Sequence, residues 1–345
     1  MSYLRVVLSE LWPMVNLSLK QNRNLVESIL KQWPSELDGH LSYCVGLSGG
    51  IDSVVLLHLL NEASKRQQFE LSAIHVNHGI SVHADEWMDF CTRLCQQWNI
   101  PLQVAQLHVV KKAGAGLENS ARKLRYTEYQ QTNSAVMVLA HHQDDQIETV
   151  FSQLMRGSDV HNIAAMRIVS KKNTQFYWRP LLSYTKAQLI DYAMEYKLSH
   201  IEDESNHDNN YLRNFLRNSI IPQLLAYDSN LPQKIAQSLV SIQASVNLND
   251  EIAEYDLLST MKNGQIEIAK IISLSSSRQK SLLCYFIRQH NLPLPSSKQL
   301  QEFIRQATVA EQDRHPQLKL NENYILTRRK GSILLVMQMV SKQVE

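Results

Sequence analysis

Leu41-Ser42-Tyr43-Cys44-Val45-Gly46-Leu47 runs directly into Ser48-Gly49-Gly50-Ile51-Asp52-Ser53, and Val54-Val55-Leu56-Leu57-His58-Leu59-Leu60 follows at once. An apolar run on each side of two glycines reads as buried strand, tight turn and helix. Adjacent glycines let the backbone turn sharply and come close to a ligand. Ser48, Asp52 and Ser53 place hydroxyls and a carboxylate at the helix start. Free N–H groups and the helix dipole favour an anion there. The spacing is neither a Walker A loop, which needs a lysine and a four-residue spacer, nor GxGxxG. A bare Ser-Gly-Gly turn is as readily a serine-capped corner. The six residues between a buried strand and an apolar helix favour the phosphate reading.

Outward from the loop, strand and helix signals alternate. Leu25, Val26, Ile29 and Leu30 have helical spacing, Leu71–Val76 is a second strand, and Trp87, Cys91, Leu94, Cys95 and Trp98 form one helical stripe. Leu102–Leu107 alternates as a half-buried strand, 118–131 reads as a helix, Val136–Ala140 as a strand and Asp144–Met155 as a helix. Such alternation predicts an α/β fold with a parallel sheet covered on both faces. Residues 223–264 are helical and rich in Gln, Ser and Asn, and read as a linker. Residues 265–340 read as a small α+β unit, in which Leu318–Leu320, Tyr324–Leu326 and Ile333–Val336 suggest an antiparallel meander. The expected division is 1–21 extension, 22–222 catalytic domain, 223–264 linker and 265–340 C-terminal domain.

The composition is that of a globular chain: 345 residues, 44% hydrophobic, 20% charged, net charge +2. Any RNA partner must therefore be met by local basic patches rather than an overall basic surface. Four cysteines, Cys44, Cys91, Cys95 and Cys284, form no CxxC pair and no disulfide framework, which predicts a reducing, cytoplasmic setting. Cys44, Cys91 and Cys95 sit among apolar residues and read as core, as Trp33, Trp87 and Trp98 do. No stretch is long and apolar enough for a membrane span. Residues 1–20 lack a signal-peptide pattern and read as an extension with Met14 as an alternative start.

The second dense segment is His141-His142-Gln143-Asp144-Asp145-Gln146-Ile147-Glu148-Thr149. On a helix Asp144 and Glu148 are i, i+4 and Asp145 and Glu148 are i, i+3, so they share a face. The dipole explains one acidic residue in a first turn, but not three carboxylates and two histidines after a strand. Ligands of open α/β sheets bind at that strand end. The cluster suits a metal ion on phosphates or a substrate ammonium; adjacent histidines seldom both ligate, which disfavours zinc. Glu118, Arg122 and Arg125 share a helical face, as do Arg213 and Arg217, where arginine suits bidentate phosphate or carboxylate contact. Arg328-Arg329-Lys330 reads as a basic tip between strands, either solvated or a phosphate patch.

The loop Ser48–Ser53 resembles the pyrophosphate loop of the N-type ATP pyrophosphatases (the PP-loop, adenine nucleotide α-hydrolase-like superfamily). In order along the chain stand that loop, His75-Val76-Asn77-His78-Gly79, Ala121-Arg122-Lys123-Leu124-Arg125-Tyr126, the 141–149 cluster, Arg156-Gly157-Ser158, Arg179-Pro180-Leu181-Leu182 and the segment from Asp203-Glu204-Ser205-Asn206 to Arg217. Together they resemble the tRNA(Ile)-lysidine synthetase family over about residues 24–220, with a looser likeness to its C-terminal domain.

The resemblance implies an ATP- and Mg²⁺-dependent ligase that adenylates O2 of cytidine 34 in a CAU-anticodon tRNA(Ile). Free L-lysine then displaces AMP at C2 to give lysidine, and the tRNA reads AUA. Carried over, Ser48, Gly49, Gly50, Ile51, Asp52 and Ser53 bind the ATP phosphates, and Asp52 holds Mg²⁺. Asp145 and Glu148 hold the lysine ammonium or metal, supported by Asp144 and His141. Arg122, Arg125, Arg213 and Arg217 contact phosphate or RNA, and Arg328 and Arg329 lie in the tRNA-binding domain. The family tends to dimerise, so a homodimer is compatible, though no patch in the sequence marks it. The stretch Asp159-Val160-His161-Asn162-Ile163 replaces the family's glycine-rich run, which predicts a stiffer loop. One accessory C-terminal domain is expected rather than two. The alternative is a PP-loop amide-forming synthetase acting on a metabolite, against which the absent glutamine-amidotransferase portion weighs. A non-catalytic nucleotide binder is disfavoured by the intact carboxylates.

Overall fold

Chain direction at the phosphate loop is set by a six-stranded sheet of order β3-β2-β1-β4-β6-β5. The strands are β1 (Ser42–Gly46), β2 (Glu70–Asn77), β3 (Leu102–Gln106), β4 (Val136–Val138), β5 (Val169–Lys172) and β6 (Gln175–Trp178). The computed structural model describes residues 25–79, 81–107, 117–202, 211–309 and 314–338. The N-terminal extension expected over 1–21 and the Asp203–Asp208 stretch lie outside them, as does the side chain of Glu118.

Side-chain alternation explains why the sheet is covered twice. Tyr43, Val45, Val136, Val138 and Trp178 share one core with Val54–Leu57, Leu59, Leu60, Cys91, Leu94, Leu189 and Tyr192. Their strand neighbours Cys44, Met137, Leu139 and Tyr177 pack instead with Tyr129 and Tyr126 on the opposite face. The helices Ile51–Ser64, Ala84–Gln97 and Lys186–Glu195 therefore cover one face, and Leu117–Gln130 the other. Each fully buried aliphatic side chain contributes about 1.5–3 kcal/mol. Trp33 packs against Tyr43, Phe69 and Trp178, a core role for that aromatic.

Strands β1, β2, β3, β4 and β6 are parallel, as alternation predicts; β5 is antiparallel to β6 and forms the edge. That hairpin, turned at Asn173 with φ 56°, gave no clear period in the sequence. From β1 the chain proceeds to β2 and β3 on one side and returns to β4 on the other. The gap between β1 and β4 is thus a switch point, where open α/β sheets bind ligands beyond the carboxyl ends of their strands.

A second unit begins at Ser238, the division falling within the helix Leu231–Thr260. Its sheet is antiparallel, of order β7-β8-β11-β10-β9, with β7 (Met261–Lys262), β8 (Gln265–Glu267), β9 (Gln317–Lys319), β10 (Tyr324–Arg329) and β11 (Ser332–Met337). The expected meander is β9-β10-β11, to which the β7-β8 hairpin adds two strands. Leu282, Leu283, Phe286, Phe303, Leu326 and Ile333 form its core. Among the described residues no helix is long and apolar enough to cross a membrane.

Candidate active site

Gly49 turns the chain after β1 with φ +90°, a conformation that L side chains rarely adopt. Its neighbours close the space too, since a Cβ there would lie 2.6 Å from Ile201 Cδ1 and 3.3 Å from Cys91 Sγ. Ile201 N donates to Gly49 O at 2.9 Å, and Gly50 bridges Ile201 in parallel fashion. Gly50, not a serine, is the N-cap of the helix Ile51–Ser64, and no side chain caps it. The serines brace the loop from within. Ser48 N donates to Ser53 Oγ at 3.2 Å, and Ser53 Oγ donates to Gly50 O at 2.9 Å. Ser53 N donates to Gly50 O at 3.1 Å, which leaves the N–H groups of Ile51 and Asp52 to an external anion. Buried His75 supports the loop entry, its Nδ1 2.9 Å from Leu47 O.

Across the switch point, the helix Gln143–Met155 starts at the end of β4. His142 lies between the two loops, 3.7 Å from Asp52 Oδ2, 3.3 Å from Asp144 Oδ2 and 3.5 Å from Asp145 Oδ2. Burial alone pushes this imidazole down. The Asp144 carboxylate, with Asp145 and Asp52 behind it, outweighs burial and holds the pKa above its ordinary value. His141 behaves oppositely, since burial pushes it down to about 3, and its Nδ1 is buried with no hydrogen-bond partner among the described residues.

Asp145 and Glu148 meet two arginines. Arg213 donates Nη2 to Asp145 Oδ1 at 2.5 Å and Nε to Glu148 Oε2 at 2.6 Å. Arg217 donates Nε to Glu148 Oε1 at 2.6 Å and Nη2 to Glu148 Oε2 at 3.1 Å. Glu148 is 2% exposed, so unpaired it would be an uncompensated buried charge. Burial would raise Asp145, but His142 and Arg213 hold it down at about 2. The arginines come from the short helix Leu212–Phe215 and the π turn Leu216–Ile220; Leu216 and Ile221, which opens the next helix, cluster with Ile147. Single π turns inside helices recur at functional sites.

Two residues absent from the sequence-based set stand here. Lys186 Nζ donates to Asp52 Oδ1 at 2.6 Å, and Lys186 N donates to Asp144 Oδ2 at 2.9 Å. Asp144 thus joins its helix to the start of Lys186–Glu195, a positioning task. A lysine in a first helical turn opposes the dipole, and that was its only sequence signal. His142 was legible as part of the cluster but not as the group that faces Asp52.

The remaining arginines do not reach the carboxylates. Arg125 donates Nε and Nη2 to His78 Nε2 at 3.1 and 2.9 Å. Arg122 lies over Tyr126. In the second unit Arg328 departs from expectation: it belongs to β10 and is 8% exposed, so the exposed tip consists of Arg329, Lys330 and Gly331. The non-glycine stretch after Gly157 forms one helical turn, Val160–Ile163, capped by Asp159 Oδ1 accepting from Asn162 N.

Comparison with known proteins fits this arrangement. Residues 19–224 match the PP-loop domain model and 267–334 the TilS substrate binding domain model. The chain is similar to tRNA(Ile)-lysidine synthases of Chromobacterium violaceum (36% identical, covering 88% of this chain and 70% of the relative), Nitrosomonas europaea (38%, 79% and 60%) and Haemophilus ducreyi (37%, 91% and 74%). It therefore spans between 60% and 74% of the length of these relatives. The U34-tRNA thiolase NcsA of Methanococcus maripaludis shares the fold at a TM-score of 0.55 and 18% identity, over 66% of this chain and 79% of that one. A PP-loop sheet whose switch point gathers the Ser48–Ser53 loop with the His142, Asp145 and Glu148 cluster, followed by the family's second domain, places this chain in the tRNA(Ile)-lysidine synthase family.

Proposed function

We propose that this chain ligates free L-lysine to C2 of cytidine 34 in a CAU-anticodon tRNA(Ile), at the expense of ATP and in the cytoplasm. One observation carries the reading: the phosphate loop and the carboxylate cluster converge on His142, within 3.7 Å of both Asp52 and Asp145. An enzyme that only split ATP would have no use for the second half of that site. In the first step the cytidine O2 bonds to the α-phosphorus and pyrophosphate leaves. In the second the lysine nitrogen bonds to C2, the C2–O2 bond breaks, AMP departs with the oxygen, and the nitrogen loses a proton.

Ser48, Gly49, Gly50, Ile51 and Ser53 frame the phosphates with backbone N–H groups and hydroxyls. Asp52, a half-buried hard-oxygen donor beside them, is the residue to hold Mg²⁺. Among the described residues no three acidic, histidine or cysteine side chains form a closed metal cage, and Mg²⁺ needs only one or two carboxylates plus phosphate oxygens. When bound, such an ion neutralises charge developing on the phosphates. Asp145 fits a metal poorly, since Oδ1 accepts from Arg213 and Oδ2 accepts from His142 N. With Glu148 it suits the substrate ammonium, which competes with the guanidiniums for the same oxygens. Arg213 and Arg217 thus hold the carboxylates in place until lysine arrives. His141 is kept neutral by burial, and its Nδ1 is buried with no hydrogen-bond partner among the described residues.

The test is an assay with the purified chain, ATP, Mg²⁺, labelled lysine and tRNA(Ile) transcript. Label should enter the CAU transcript and not one whose position 34 is changed. Pyrophosphate release that ignores RNA would sink the reading and favour a metabolite synthetase.

A further inference from the structure

The sheet face away from the phosphate-loop helix carries positive charge that no acid balances among the described residues. Arg122 Cζ lies 5.2 Å and Lys172 Nζ 5.9 Å from the centroid of the Tyr126 ring. Arg179, 8% exposed, stands behind them and donates Nη1 to Arg167 O and Ser170 Oγ, both at 3.0 Å. None of the three cations joins an ion pair among the described residues. Arg179 is held below its ordinary pKa by burial first, and Arg122 adds to the effect. Tyr126 is half-buried against Tyr177 at 5.5 Å and meets Tyr129 edge-on at 5.6 Å.

Strand alternation determines which lysine takes part. Lys172 lies opposite Gln175, on the face that carries Tyr177. Its neighbour Lys171 lies on the other face, 4.8 Å over the ring of Phe176. Arg179 directly follows Trp178, whose carbonyl accepts from Leu139 N at 2.9 Å two residues before His141, so the patch adjoins the end of the sheet that carries the active site.

We propose that Arg122, Tyr126 and Lys172 form a track for the sugar-phosphate chain of the RNA substrate, on the sheet face opposite the phosphate-loop helix and leading towards His141. This rests on the RNA reading given above and adds where the chain lies. Cations without an ion pair among the described residues, flanking a half-buried aromatic ring, match a polymer that alternates phosphates with planar bases. A free phosphate would be better served by convergent donors.

The experiment measures tRNA(Ile) transcript binding by fluorescence anisotropy across a salt titration, for the wild type, Lys172→Ala, Arg122→Ala/Lys172→Ala and Lys171→Ala, each checked for an unchanged melting profile. Losing one phosphate contact weakens binding about fivefold at about 0.1 M salt and flattens the slope of log K against log salt by about 0.7–0.9. Lys172→Ala should show this once and the double variant about twice, while Lys171→Ala matches the wild type. Equal behaviour of Lys171→Ala and Lys172→Ala overturns the track. If the wild type labels the tRNA with lysine while Lys172→Ala keeps its salt slope, only the track fails. If the wild type neither binds nor labels RNA, both fail.

Discussion

Replacing Asp145 by Asn removes one charge from the carboxylate–guanidinium cluster while leaving the side chain's shape almost unchanged. Asn stands in for the protonated acid, so the cost follows from proton linkage. The folded-state pKa of Asp145 is held at about 2 against an ordinary 3.8. At about 1.36 kcal/mol per pH unit this corresponds to roughly 2 kcal/mol of stability carried by the ionised form. A depressed pKa contributes stability that is complete above the unfolded value and is lost as pH falls through the folded one. The wild-type advantage should therefore be whole at pH 7 and shrink between about pH 4 and pH 2. Because the side chain is only 9% exposed, solvent screening takes little from this figure. Urea unfolding of wild type and Asp145→Asn at pH 7 and at about pH 3 measures it. A difference below about 0.5 kcal/mol at pH 7 would refute the electrostatic account. So would a difference that persists unchanged in acid.

Asp52→Ala should abolish pyrophosphate release while the circular dichroism spectrum and melting midpoint stay near wild type; substantial residual turnover removes Asp52 from the metal role. Lys186→Met removes the ammonium 2.6 Å from Asp52 and should lower kcat/KM for ATP by about tenfold or more, the scale of one charge-assisted hydrogen bond. Unchanged ATP kinetics would leave Lys186 a purely structural link. Gly49→Ala should destabilise the chain by about 1–3 kcal/mol, since φ is +90° there and a Cβ would meet Ile201; a neutral result in thermal unfolding would contradict the loop geometry. Arg329→Ala with Lys330→Ala should weaken tRNA binding in a salt-sensitive manner, whereas Arg328→Ala should show its main effect on stability, because Arg328 is buried. Unchanged affinity across a salt titration would return that turn to ordinary solvated surface.

Local chemistry was what the sequence displayed. The strand, the paired glycines and the apolar helix are neighbours in the chain, so the loop was legible as a unit. The same holds for Asp145 and Glu148, whose shared face follows from helical spacing. Partners distant in sequence were not legible. Lys186 reaches Asp52 across 134 positions, and Arg213 reaches Glu148 across 65. Arg213 and Arg217 were read as phosphate or RNA ligands because bidentate geometry suits phosphate and carboxylate alike; only the fold shows the carboxylates they meet. Arg328 was misplaced because three consecutive basic residues look like a turn. The turn belongs to Lys330 and Gly331, which take positive φ, and the strand pairs through Arg329. The β5-β6 hairpin escaped notice because its edge strand, Val-Ser-Lys-Lys, has too little apolar content to show a period.

The bond from Ile201 to Gly49 also has a consequence during synthesis. The phosphate loop leaves the ribosome about 150 residues before the segment that braces it, which at about 5–20 residues per second is a delay of roughly 8–30 s. Throughout that interval the glycine turn lacks one of its walls, and the acidic helix in its turn waits 65 positions for Arg213. Nucleotide present in the cell can therefore do little to guide the early folding of this domain. Its β1–β2–β3 half must hold by its own strand pairing and apolar burial until the chain has passed residue 217.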